Sequence, residues 1–367
     1  MLDSILSAYG FAPATQAIPH GTGLINRTWK IHDPQKGSFI LQRINEEVFR
    51  HPEQIAENID KVSDYLAAHY PNAIFPRPIK TLTGESLLNT ASLPGTVSLP
   101  GIADLPAPNQ YFRLYPFIED SSTIDVASNP NQAYEAARTF GAFTRMLAQF
   151  PADTLHATLP RFHDLTLRYR DFKTAQIKGN PERLHHAASQ IKFLEEQNHI
   201  VKQYEDILNN ANFHRRVTHH DTKISNVLFD SQGKGICVID LDTMMPGYFI
   251  SDVGDMLRTH LSPVSEEEKD HSRIQVRDTY FQAILEGYLE ETKEELTREE
   301  KEAFVYSGAF MLYMQALRFM TDYLQDDIYY GRRYEEHNFV RASNQSTLLA
   351  LYQQKMPRYL SMLGALI

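Results

Sequence analysis

Cysteine is nearly absent from this chain: among 367 residues only Cys237 carries a thiol, and it lies in an apolar run. An internal disulfide is excluded, and a reducing cytoplasm is the simplest expected setting. Long hydrophobic runs are missing too. No stretch approaches the roughly 18 apolar residues of a spanning helix, so no membrane partner is expected. The first residues, Met1-Leu-Asp-Ser4, place no basic group ahead of an apolar segment and do not read as a secretory signal. Nor is there a basic surplus. With 36 Lys and Arg against 46 Asp and Glu, the formal net charge is −10, which argues against a nucleic-acid partner and requires any phosphate site to be local.

What is present is an apolar fraction of 42% with 22% charged residues, enough for one large core or two lobes. The organisation changes once. Up to about residue 115, short β-like runs alternate with turns: Arg27 to Ile31, Phe39 to Ile44, Ile74 to Lys80 and Tyr111 to Tyr115, with one helix from about Pro52 to Tyr70. From about Asn129 onward helical periodicity dominates. The expected fold class is α+β, a bilobal kinase-like arrangement with a small β-rich nucleotide-binding lobe over 1–115 and a larger, mainly helical lobe over 116–367 for catalysis and the acceptor. Ser92 to Gly101, punctuated by Pro and Gly, reads as an exposed excursion.

The helical part is interrupted by the most informative stretch, Val217-Thr-His-His-Asp-Thr-Lys-Ile-Ser-Asn-Val-Leu-Phe229, followed by Gly235-Ile-Cys-Val-Ile-Asp-Leu-Asp242. Two apolar runs flank a Gly-containing turn, which predicts a hairpin with Asn226 and Asp240 at the same end. Transfer of a γ-phosphoryl group needs a carboxylate to orient the acceptor hydroxyl and take its proton, and amide and carboxylate oxygens to hold Mg²⁺ against the phosphates. Asp221 suits the first role; Asn226 and Asp240 suit the second, with Asp242 as helper to a second ion. ATP and Mg²⁺ are the implied co-substrate and cofactor. His219 reads as a structural brace. Asp252, opening the helix Ser251-Asp-Val-Gly-Asp255, reads either as a brace for the catalytic loop or as a simple N-cap.

This pattern resembles the H-x-D-x-x-x-x-N loop and metal-binding Asp of the aminoglycoside phosphotransferase and choline kinase superfamily. Gly21 and Gly23, before the strand at Arg27, are candidates for a tight turn over the phosphates, and Phe117, just past the strand Tyr111 to Tyr115, is a further nucleotide-contact candidate. The strand Phe39 to Asn45 lacks the lysine such kinases place against the α/β-phosphates, so Gln42 or Arg43 is expected to substitute. Asn58 falls within the apolar stripe of Ile55, Ile59, Val62 and Leu66, and is expected to form a neutral amide pair with Gln42; local capping by Asn58 is the alternative.

Four stretches look more narrowly like the N-acetylhexosamine 1-kinases of that superfamily: Phe39 to Asn45, Thr218 to Lys223, Ile239-Asp-Leu-Asp-Thr-Met-Met-Pro-Gly247, and Arg318 to Tyr329 with Glu336-His-Asn338. The resemblance implies phosphorylation of the anomeric hydroxyl of N-acetylglucosamine or N-acetylgalactosamine, with Arg318 and Tyr329 as sugar contacts. A helix from about Glu299 to Leu324 would place Gly308, Met311, Gln315, Arg318 and Asp322 on one face, where Arg318 is also spaced for an ion pair with Asp322. Leu24 stands where relatives place a His that meets the sugar, which implies loose gluco/galacto selectivity. An amino alcohol or aminoglycoside acceptor, with Asp326 and Asp327 beside Tyr329 and Tyr330 lining its pocket, and a nucleotide-binding pseudokinase are the alternatives.

Overall fold

The computed structural model describes residues 2–12, 15–21, 25–93 and 109–367. Gly23, Leu24 and most of the Pro/Gly-punctuated excursion lie outside them. The chain divides into two compact units. The first runs through Ser121 and also takes in 154–159 and 237–245; the second comprises 122–153, 160–236 and 246–367.

The first unit is built on a five-stranded antiparallel sheet in the order β1-β2-β3-β5-β4: β1 (Ala17–Pro19), β2 (Arg27–Asp33), β3 (Gly37–Arg43), β4 (Leu88–Asn89) and β5 (Tyr111–Pro116). Period-two alternation gives the sheet two faces. Ile31, Leu41, Phe112 and Leu114 join Ile5, Leu6, Tyr9 and Phe11, from helix α1 (Leu2–Ala8) and the turn after it, in one apolar cluster. Leu41 pairs with Trp29 and Leu114, so its neighbour Gln42 lies between Thr28 and Arg113 on the opposite face. The expected strand over Ile74 to Lys80 does not form; Ile79 alone makes a bridge, to Leu114. Pro76 and Pro78 have no N–H to give to a ladder, which propensity counting overlooks. Helix α2 (Pro52–His69) buries the expected stripe of Ile55, Ile59, Val62 and Leu66.

The second unit is mainly helical. Its helices are α3 (Pro130–Met146), α4 (Leu165–Lys178), α5 (Pro181–His186), α6 (Ala188–Glu196), α7 (His199–Leu208), α8 (Phe249–His260), α9 (Asp278–Thr292), α10 (Arg298–Glu302), α11 (Phe304–Leu324) and α12 (His337–Gly364). Short strands β6 (Arg216–Thr218), β7 (Val227–Phe229), β8 (Gly235–Val238) and β9 (Met245–Gly247) interrupt them, and β7 and β8 form the expected hairpin. The helix expected from about Glu299 breaks at Ala303 (φ −81°, ψ 0°), after the Thr297/Glu300 capping box of α10. Helix α11 is then buried on almost every side. Gly308 lets α12 approach it: a Cβ there would lie 2.5 Å from the Tyr352 ring. Among the described residues no helix is long and apolar enough to cross a membrane.

Candidate active site

In the second unit the loop after β6 carries Asp221, and its geometry is set by carboxylates of α8. Asp252 accepts from the backbone N–H groups of His219 (2.9 Å) and His220 (2.7 Å), and Asp255 accepts from that of Thr222 (2.8 Å). Asp252 makes no N-cap bond in α8; the brace, rather than the cap, is what forms. His219 is fully buried with edge contacts from the rings of Phe140 (5.3 Å) and Phe143 (6.2 Å), consistent with a brace. His220 sits at φ 66°, left-handed for a residue with a side chain. Gly247 explains how it fits, because a Cβ at that position would come within 2.6 Å of the His220 ring.

The result is a presented carboxylate. Asp221 is partly exposed, and its Oδ2 accepts from Lys223 Nζ (2.7 Å) and from Asn226 Nδ2 (3.0 Å). Its Oδ1 carries no hydrogen bond among the described residues and is available to a hydroxyl. Burial pushes the Asp221 pKa up, but Lys223, His219 and the Asn226 amide outweigh it and hold the carboxyl below its usual value. Asn226 also donates to the Asp221 carbonyl (2.8 Å). Both bonds use its amide nitrogen, which leaves the Oδ1 a metal would need outside them.

Burial raises the Asp252 pKa to about 7, against the opposing backbone donors. A carboxyl raised from roughly 4 in the unfolded chain binds protons more tightly when folded, so the stability it contributes is lost as pH rises from about 4 to about 7. Asp252→Asn does not titrate. The stability difference between wild type and this variant should therefore shift against the wild type across that window, read from urea unfolding at several pH values. A difference independent of pH would show that Asp252 is ionised throughout.

The first unit holds the other half of the predicted constellation. Asp240 is exposed at φ 62°, ψ 61°, whereas Asp242, two residues on, is 1% exposed. Asp242 is buried, and both its oxygens already have protein partners: Arg113 Nη1 lies 2.5 Å from Oδ1 and Asn26 Nδ2 donates to Oδ2 at 2.6 Å. The amide pair of Gln42 with Asn58 does not form. Gln42 Oε1 accepts from Arg113 Nε (3.0 Å) and Nη2 (2.9 Å), while Asn58 bonds both backbone groups of His156 and the Met244 carbonyl. Arg113, directly opposite Gln42 in the sheet, thus links β3 to the segment bearing Asp240. Sequence reading missed it, although a single charge inside Tyr-Phe-Arg-Leu-Tyr-Pro116 was the available signal. Arg43 pairs with Glu46 at 3.7 Å. Gly21 has φ 79° with open space around it, which suits a tight turn, and Phe117 lies 3.4 Å beneath Lys30 Nζ.

Removing Arg113 would leave a buried carboxylate uncompensated. Arg113→Leu is expected to destabilise the protein by about 3–5 kcal/mol, and Asp242→Asn in the same chain should recover part of that loss. Urea unfolding of the single and double variants checks it; additive losses would mean the pair is not coupled.

Arg318 is 8% exposed in α11 and makes no ion pair with Asp322 among the described residues, so the local-pair alternative fails. Asp322 instead accepts from the backbone of Tyr329 (2.7 Å) and Tyr330 (2.9 Å). The Tyr329 side chain is 70% exposed, and Tyr330 is the tyrosine lying against Arg318, at 5.4 Å. Asp327 is buried and paired with Arg183 (2.7 Å), whereas the more exposed Asp326 accepts from Asn180 (3.0 Å), with Arg183 Nε 3.6 Å away.

Residues 16–298 match the family described as the phosphotransferase enzyme family, APH. Among solved structures, a microcompartment-associated aminopropanol kinase aligns over 98% of this chain and 97% of its own, at 14% identity and TM-score 0.65. An amicoumacin kinase in complex with AMP-PNP, Ca²⁺ and Ami covers 97% and 92%, at 14% identity and TM-score 0.59. An ethanolamine kinase from Plasmodium vivax covers 97% and 88%, at 13% identity and TM-score 0.55. These likenesses show the kinase-like α+β fold.

Proposed function

The chain belongs to the phosphotransferase enzyme family, and from that premise we propose that it is an ATP- and Mg²⁺-dependent sugar 1-kinase, transferring the γ-phosphoryl group to the anomeric hydroxyl of an N-acetylhexosamine. The observation that carries the kinase chemistry is Asp221: one oxygen is held by Lys223 and Asn226, the other is free, and the loop beneath is fixed by Asp252 and Asp255. A base so placed orients the acceptor hydroxyl and receives its proton as the phosphoryl group leaves ATP.

The Mg²⁺-ligand candidates are Asn226 Oδ1 on the second unit and the Asp240 carboxylate on the first, each an oxygen of the kind this hard cation takes alongside phosphates. When bound, the ion neutralises charge on the transferring group. Gly21, Gln42, Asn58 and Phe117 remain the nucleotide-side candidates on the first unit, although Gln42 and Asn58 act through the contacts described above.

The acceptor class rests on the four hexosamine-kinase-like stretches, with Arg318 and Tyr329 as the sugar contacts. Solved relatives named for aminopropanol and ethanolamine make an amino alcohol the competing class. The buried pairing of Asp327 with Arg183 favours the sugar, because it takes up one of the two carboxylates that a cationic acceptor would use. Incubation with ATP, Mg²⁺ and a panel of free sugars, amino alcohols and aminoglycosides, followed by ³¹P NMR, tests the reading. Phosphate on C1 of an acetamido sugar is expected; phosphate on C6, or turnover of amino alcohols alone, overturns it. Arg318→Ala should lower kcat/KM for the sugar by roughly 30- to 1000-fold, because a substrate oxygen is left without its donor.

A further inference from the structure

Helix α11 is apolar on nearly every side, yet Arg318 stands in it nine-tenths buried with no carboxylate within ion-pair distance among the described residues. Its hydrogen bond, to Gln315 Oε1, is long at 3.4 Å; otherwise its guanidinium lies over the rings of Phe162 (5.0 Å) and Tyr330 (5.4 Å). Arg168, on α4, comes to the same place. Its Nη2 donates to the carbonyls of Arg161 and Phe162, both at 3.2 Å, while its Nε is buried without a partner. His163, also nine-tenths buried, stacks on Phe162 at 4.4 Å and leaves its Nδ1 without a partner. The His163 ring is 5.1 Å from that of His220, the residue before Asp221.

The charges in this region do not balance. Arg258 is matched by Asp255 (2.9 Å) and Glu266 (2.8 Å), and Arg341 by Glu266. Asp322 and Asp327 are spent on backbone donors and Arg183. Asp171, three residues on from Arg168, acts on it only at longer range, and neither Arg168 nor Arg318 forms an ion pair among the described residues. Burial and then Arg318 push the Arg168 pKa down, so the two guanidiniums feel one another. Burial, His220 and the surrounding arginines hold His163 far below its usual pKa, and it stays neutral. A mostly buried cation without an ion-pair partner is destabilising, so the arrangement is expected to draw a close partner from a ligand.

We infer that Arg168, Arg318 and His163 form an acceptor subsite that takes an uncharged, oxygen-bearing group such as an amide carbonyl and repels a protonated amine. The subsite rests on the sugar reading above and sharpens it: an N-acetylated amino sugar is accepted and its free-amine counterpart is refused. Arginine suits this because its donors are fixed and its charge does not titrate away. Exclusion of the wrong substrate by like charge is the repulsive half of specificity.

The test compares kcat/KM for N-acetylglucosamine and glucosamine at slightly acid pH, where the free amine is protonated, in wild type and in Arg168→Gln, Arg168→Glu and Arg168→Lys. The wild type should favour the acetamido sugar by on the order of 10–100-fold, the size of one close charge repulsion. Arg168→Gln should reduce that ratio about tenfold, Arg168→Glu should abolish or invert it, and Arg168→Lys should keep it. The ratio is internal to each variant, so partial loss of folded protein does not move it. A ratio unchanged in both Gln and Glu variants, with the acetamido sugar still phosphorylated on C1, overturns the subsite and leaves the sugar reading standing. Wild-type turnover confined to amino alcohols overturns both.

Discussion

Asp221→Asn is expected to leave the fold and nucleotide binding intact while lowering kcat by on the order of 10²–10⁴-fold, the usual contribution of a positioned base. The substitution keeps the side chain's shape and one acceptor oxygen, so Asn226 and Lys223 still have a neighbour at the positions they occupy 3.0 and 2.7 Å from Oδ2. What it removes is proton affinity at Oδ1, the oxygen the structure leaves free. The loop itself is held by Asp252 and Asp255 through the backbone of His219, His220 and Thr222, none of which the variant touches. Steady-state kinetics beside calorimetric titration of the nucleotide separates the two effects. Turnover within a few-fold of wild type would remove Asp221 as the base, and a parallel loss of nucleotide affinity would show that the loop had moved.

How much of this was legible beforehand divides along physical lines. Strands β2, β3 and β5 and helix α2 could be read because alternation and the 3.6-residue stripe are local signals that tertiary packing reinforced: Ile31, Leu41 and Leu114 on one sheet face, Ile55, Ile59, Val62 and Leu66 on one helix face. The pairing within the Asp221 loop was legible for another reason. Asp221 and Asn226 are five residues apart, and their 3.0 Å contact is made within one turn of chain. The partners of Gln42, Asn58 and Asp242 were not legible, because each lies on an element remote in sequence. Arg113 takes Gln42 and Asp242 together, and Asn58 turns to His156 and Met244. The assumption that two buried amides would find each other failed because backbone groups and a guanidinium were closer. Beyond the end of α11 the backbone turns back on Asp322, which lays Tyr330 against Arg318 and leaves the Tyr329 side chain, the sugar contact that the resemblance implies, exposed beside it.

Asp240→Ala should abolish turnover, and the backbone at this position provides the control that separates chemistry from folding. A residue with a Cβ held at φ 62° costs of order 1–3 kcal/mol and persists where the surrounding structure imposes it. Here the surroundings are Asp242, anchored on Arg113 and Asn26, and β8 on the other side. The exposed Asp240 carboxylate contributes little burial to offset that strain. Glycine adopts this conformation freely, so Asp240→Gly should leave stability unchanged or raise it by up to about 1 kcal/mol while turnover falls as far as in the alanine variant. Asp240→Asn, which tolerates the left-handed region and keeps one oxygen, should unfold like the wild type but bind Mg²⁺-nucleotide more weakly than it. Unfolding midpoints, nucleotide titration with and without Mg²⁺, and kcat on the same three variants decide the matter. A glycine variant that keeps activity within tenfold of wild type would mean that Asp240 shapes the loop and holds no metal.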